Sequence, residues 1–264
     1  MPDFWAHRIC ASLTLEQLHG SEAAEILSRN LGSYRLGSQG ADLLYFRPVQ
    51  LLMGRRGIVY LAKLLHQVPV DQLATMTLWY LQTCKGRQFE SLFAYTCGFL
   101  CHHAVDQQVH PLIEGLTSST LRHRRIELDL DAFMARELDR GPDPGLRPWA
   151  GMYVSELGSL TQWYNSLFSE LYDRTVKQSA CKKAYKTMRR AASFIHKPRR
   201  LAKPRHNEKA VLTEQELREL TERAVAGAAH GAVLARRLYL QLHGEPAALQ
   251  QKPALRLLDT TAAL

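Results

Sequence analysis

The sequence predicts an all-α fold, a multi-helix bundle, and three observations carry that expectation. Leu, Ala, Gln, Arg and Glu are abundant while β-branched residues are sparse, which favours helix. Apolar residues recur at helical spacing, and few segments alternate at period two. Histidines and carboxylates recur every four residues where the most apolar stretch ends, as in CHHAVDQQVHPLI, residues 101–113.

Taken in order, Leu13 to Asn30 reads as an amphipathic helix ending near Gly32. The stretch GSYRLGSQGADLLYFRP that follows reads as a loop with a short turn of helix, because Gly32, Gly37, Gly40, Ser38 and Pro48 punctuate it. Ile58 to His66 and Val70 to Thr83 look helical, and Gln88 to Val109 is the strongest buried helix, with Pro111 expected to stop it soon after. Thr120 to Leu138 gives a further helix, and the cluster GPDPGLRP breaks the chain. Met152 to Ile195 carries an interrupted helical pattern that runs into the loop HKPRRLAKPRH. Thr213 and Glu216 form a TxxE capping-box signature opening a long helix to about His243, which Gly244 and Pro246 end. No internal repeat is visible. The 264 residues are therefore expected to form one domain: a core bearing the motifs over 1–138, a helical part over 150–245 with a basic loop at 196–209, and a frayed tail at 247–264.

Charge is concentrated rather than spread. From Lys177 to Lys209 there are twelve Lys or Arg against one acid, Glu208, a net charge of +11, so with the chain at +9 the remainder is about −2. Such a segment is either a solvated face or a site for an anionic partner, a phosphate group or an anionic membrane surface. The start, MPDFWAHRIC, has no export-signal pattern. The longest apolar run, Leu92 to Cys101, is about half of the ~20 residues a bilayer span needs, so no transmembrane segment is expected. Cys10, Cys84, Cys97, Cys101 and Cys181 are odd in number and never spaced as CxxC, which argues against disulfides and a thiolate zinc site and for a cytoplasmic setting.

A step of four residues on a helix advances 400°, so His102, Asp106 and His110 drift only 40° per step and leave from one face. Imidazole nitrogens and carboxylate oxygens are the zinc ligands open to a site without cysteine. His123 and Glu127 repeat the interval in RHRRIEL, and two such pairs could face one another across a bundle interior. The bland alternative is a set of buried histidines with a carboxylate partner and a helical surface pair. Spacing alone also admits His103, Asp106 and His110 as the stripe.

The order WAH (Trp5 to His7), GSQGADLLYF (Gly37 to Phe46), GFLCHHAVDQQVHPLI (Gly98 to Ile113) and HRRIE (His123 to Glu127) resembles the zinc-dependent phospholipase C family, in its non-exported bacterial branch. The resemblance is good over roughly the first 135 residues and looser beyond. It implies an all-helical fold around two or three zinc ions that hydrolyses a phospholipid or other phosphodiester through water activated by the metal. By motif, His102 and Asp106 would bind one zinc with His66, and Asp106 would bridge to an ion held by His7. His110, His123 and Glu127 would hold another, and Asp42 would orient or deprotonate the attacking water. The family pattern selects His102 over His103. Exported members use a processed amino terminus as a ligand and leave a longer gap after the aspartate than the QQV between Asp106 and His110.

Two other classes of function stay open at this level. A related superfamily with the same helical trizinc arrangement cleaves single-stranded nucleic acid, and the basic segment would suit phosphates. A non-catalytic helical protein could instead bind an anionic membrane or RNA through that segment.

Overall fold

The computed structural model describes residues 4–46, 57–140, 151–154, 157–195 and 211–244. Among them all regular structure is helical: α1 (Phe4–Gln17), α2 (Glu22–Arg29), α3 (Leu31–Gly37), a 3-10 turn (Gly40–Tyr45), α4 (Ile58–Leu65), α5 (Val70–Gln82), α6 (Gly86–Leu116), α7 (Thr120–Glu137), α8 (Leu157–Tyr172), α9 (Gln178–Ile195) and α10 (Glu214–His243). The GPDPGLRP cluster, the basic loop at 196–209 and the tail at 247–264 lie outside the described residues.

The expected helices at 58–66, 70–83 and 120–138 form with ends within a residue of their predicted limits. The capping box forms as well: Thr213 Oγ1 accepts from the Glu216 amide at 3.2 Å, and Glu216 Oε2 accepts from the Thr213 amide at 2.7 Å. Three expectations need correction. The helix expected from Leu13 to Asn30 is two helices, because Gly20 adopts a left-handed φ of 78° and Ser21 restarts the chain as an N-cap, accepting from the Ala24 amide. The first of them, α1, also begins nine residues earlier than expected and carries His7. The stretch expected as loop is mostly helical. Gly37 serves close packing rather than a turn there, since a Cβ would run into the backbone of Tyr95 on α6.

The third correction concerns Pro111, which α6 passes through to reach Leu116. An internal proline costs about 3 kcal/mol. Fully burying a side chain such as Ile113 returns about 1.5–3 kcal/mol, and Leu112 and Leu116 pack partly against the same cluster, so burial offsets the lost bond.

α6 is the axis of the fold and packs against α1, α3, α5, α8 and α10. Two apolar clusters meet along it. The larger includes Phe93, Tyr95, Phe99, Trp163, Tyr164 and Phe168. The smaller joins Ala6, Ile9, Val105, Val109, Ile126 and Ala228 from α1, α6, α7 and α10. The turns of α6 from His102 to His110 lie on the seam between them. All five cysteines are buried and free. No helix of the described residues is long and apolar enough to cross a membrane.

Candidate metal centre

Five elements send side chains to that seam. α1 supplies His7, the 3-10 turn Asp42, the C-cap of α4 His66, α6 supplies His102, Asp106 and His110, and α7 His123 and Glu127. Every residue expected at the site is therefore brought together.

Asp106 stands at the middle. Its Oδ1 lies 3.2 Å from His7 Nε2 and 3.5 Å from His110 Nε2, and its Oδ2 lies 3.1 Å from His102 Nε2 and 3.5 Å from His66 Nε2. Asp42 closes the first side, with His66 Nε2 at 3.1 Å and His102 Nε2 at 3.5 Å. On the other side Glu127 Oε1 faces His123 Nε2 at 2.9 Å and His110 Nε2 at 4.0 Å. The ligand-type atoms of His7, Asp42, His102 and Asp106 lie within 4.8 Å of one another, as do those of His110, His123 and Glu127.

Neighbours fix the orientation of several of these groups. Gly40, at φ 53°, lets the 3-10 turn press against the His102 ring, where any Cβ would collide. Tyr164 donates its hydroxyl to the Gly40 carbonyl at 3.1 Å and pairs with the Tyr95 hydroxyl at 2.7 Å, which holds the Asp42 turn against α6 and α8. Gln107 clamps the segment after His66, donating to the Val68 carbonyl at 3.0 Å and accepting from the Val70 amide at 3.3 Å. The doublet is resolved by direction. His102 points its Nε2 into the cluster, whereas His103 donates Nδ1 to the Phe99 carbonyl at 3.2 Å, stacks on His66 and packs at a tilt against the Phe99 ring.

The electrostatics ask for a cation. His66 Nδ1 lies 2.8 Å from the Ala62 carbonyl, which can only accept, so Nδ1 carries the proton and a neutral ring turns the Nε2 lone pair on two carboxylates. His66 Nε2 and His102 Nε2 also face each other at 3.4 Å. Asp42 Oδ2 and Asp106 Oδ2 are buried, and both face His102 Nε2, at 3.5 and 3.1 Å. Without metal, protons do the work: burial opposes charging His66, but Asp42 and Asp106 outweigh it and push its pKa up to about 9. Burial likewise opposes ionising Asp106, yet facing His102, His110 and His7 hold it well below the usual carboxylate range. His103 is driven well below the ordinary imidazole value by burial and by the neighbouring His66 and His102, so it stays neutral. Imidazole nitrogens and carboxylate oxygens converging in a buried seam fit a zinc cluster.

Sequence reasoning missed Asp131 and Gln107. Asp131 Oδ1 accepts from the Trp5 and Ala6 amides at 3.0 and 2.7 Å, beside His7. Its signal was present, since Asp131 extends the four-residue step of His123 and Glu127. Gln107 had no such signal.

A family model described as zinc dependent phospholipase C matches residues 6–197, a span that includes all eight residues of the cluster. Searches of curated proteins and of solved structures gave no match. The family match covers well over half of the chain, and on that ground the chain belongs to the zinc-dependent phospholipase C family, a family of hydrolases.

Proposed function

We propose that the protein hydrolyses a phosphodiester, a phospholipid or a soluble diester of like chemistry, with two or three zinc ions held by His7, His66, His102, Asp106, His110, His123 and Glu127. One observation carries the reading: four imidazole Nε2 atoms surround the buried Asp106 carboxylate, two on each oxygen, at 3.1–3.5 Å. A carboxylate so placed can bridge two cations.

When bound, zinc supplies positive charge against the diester oxygens and lowers the pKa of water towards neutrality. The chain's own residues do the rest. Asp106 holds the two halves of the site at a common distance, and the histidines present nitrogen lone pairs from rigid helices. Asp42 is well placed to take a proton from attacking water. Burial opposes its ionisation, but His102 and His66 hold its pKa below the ordinary value, so it is an ionised acceptor at neutral pH. The exposed edges of His110 and His123 mark the side from which a substrate enters.

The basic face of α9 supports an anionic partner, since Lys182, Lys183, Lys186 and Arg190 are exposed and the helix contains no acid. A membrane surface carrying the substrate ranks first and single-stranded nucleic acid second. Pure electrostatic adhesion would vanish with salt and ignore chelators, whereas hydrolysis would need the metal. A cytoplasmic setting belongs to the same reading and rests on the five free thiols.

The test is zinc content of untagged protein by elemental analysis, together with hydrolysis of phosphatidylcholine vesicles and a chromogenic phosphodiester. Two or three ions per chain and chelator-sensitive hydrolysis are expected. Absence of zinc after reconstitution, or hydrolysis indifferent to chelator, would sink the reading.

A further inference from the structure

We propose that Asp131 is a positioning residue that sets the occupancy of the ion site formed by His7 and Asp106. The proposal rests on the reading of His7 as a metal ligand.

The amides at the start of an α-helix have no carbonyl one turn back to bond, so their partners must come from elsewhere. At the start of α1 the partner comes from another helix. Asp131, buried on α7 with 1% of its surface exposed, places Oδ1 at 3.0 Å from the Trp5 amide and 2.7 Å from the Ala6 amide. Both donors immediately precede His7. Two bonds from one oxygen to consecutive amides fix the height of the first turn of α1 and its rotation about the helix axis.

Rotation matters because each residue turns a helix by 100°. His7 must direct Nε2 at Asp106 Oδ1, 3.2 Å away, while its ring packs on His102 with centroids 4.1 Å apart. No hydrogen bond reaches His7 Nδ1 among the described residues, so the imidazole has no brace of its own on that edge. Its aim is set by the backbone beneath it, and Asp131 holds that backbone. Asp131 also lies one turn beyond Glu127, which belongs to the other group of ligand-type atoms. Through these two residues α7 bears on both halves of the centre: Glu127 takes part directly, and Asp131 acts through α1.

The experiment titrates zinc back into chelator-stripped, full-length protein and measures the number of ions per chain and their affinities by competition with a chromophoric chelator. Wild type is compared with His7→Ala, Asp131→Ala and Asp131→Asn, and circular dichroism verifies the folding of each. His7→Ala is expected to lose one ion. Asp131→Ala should release the same ion, with affinity falling by about 10–100-fold as for other outer partners of metal ligands. Asp131→Asn should keep it, because an amide oxygen still accepts from both backbone amides.

A purely structural role would lower the melting temperature of Asp131→Ala and leave zinc number and affinity at wild-type values, which overturns the proposal. Loss of the ion in folded Asp131→Asn as complete as in Asp131→Ala overturns it too, since the bonds to α1 would then not be the cause. If Asp131→Ala does not fold, Asp131→Leu, which fills a similar volume but accepts no hydrogen bond, takes its place: the ion released upholds the proposal, and the ion retained ends it. Full zinc content in His7→Ala would remove the reading of His7 as a ligand and the proposal with it. Zinc lost from His7→Ala but kept by Asp131→Ala removes the tether alone.

Discussion

The two halves of the candidate metal centre are built in opposite ways. His110, His123 and Glu127 come from two consecutive helices, and the side chains of His110 and His123 keep 32% and 22% of their surface exposed. His7, Asp42, His66, His102 and Asp106 come from four elements spread over a hundred residues, and the side chains of His7 and His102 keep 3% and 0%. One half is local and open, and the other is assembled and closed. The open half can be made by any pair of helices with the right spacing. The closed half exists only when α1, the 3-10 turn, α4 and α6 are docked, so its side chains report on the fold.

Asp106 joins the halves, and its loss should give the largest effect. Asp106→Asn is expected to abolish phosphodiester hydrolysis and to lower zinc content in both groups, as measured by elemental analysis; near-normal zinc with near-normal turnover would show that the halves are independent. Asp42→Asn should come next, cutting turnover by about 10²–10⁴-fold if Asp42 takes the proton of attacking water. That loss should come with the zinc of the open half intact, since Asp42 makes no approach to it. His123→Ala should remove the open-half ion alone, leaving the affinity of the closed half within a few fold, and equal losses from both halves would break the distinction.

A smaller effect separates the halves by pH. Burial disfavours a charged His66, but Asp42 and Asp106 raise its pKa to about 9 when no metal is bound. A histidine raised by folding stabilises the fold fully below its ordinary 6.5, and that stabilisation fades as pH climbs through about 9. Chelator-treated protein is therefore expected to melt at a lower temperature at about pH 9.5 than at about pH 7, and zinc-loaded protein to show much less of this decline. An identical pH profile with and without zinc would mean that metal does not take the place of this proton. The smallest effect is expected of Gln107→Leu, which removes two hydrogen bonds to the segment after His66. Each is worth about 0.5–1.5 kcal/mol, so thermal stability should drop by a few degrees with the open-half ion unaffected.

The same division explains what could be read in advance. The long helices were legible because their apolar periodicity and caps are local, as with α7, α10 and the TxxE box at Thr213. Two local signals were overridden, since Gly37 marked close packing rather than a turn and Pro111 stayed inside α6 with Ile113 buried beyond it, whereas the break at Gly20 and Ser21 that splits one expected helix is itself local. Asp131 lay in plain sight as the next step after Glu127, but nothing in the chain near it names its partners, the amides of Trp5 and Ala6.

The residue types and the four-residue steps were determined by the sequence alone. They put His102, Asp106 and His110 on one face of α6 and His123 with Glu127 on one face of α7, because helical geometry is the same wherever the helix lies. The tertiary structure decided the rest. It turned His102 rather than His103 into the seam, gathered His7, Asp42 and His66 around the same carboxylate, and left only His66 of these partly open to water. Those outcomes depend on how helices dock, and docking is set by burial summed over the whole core rather than by any local stretch.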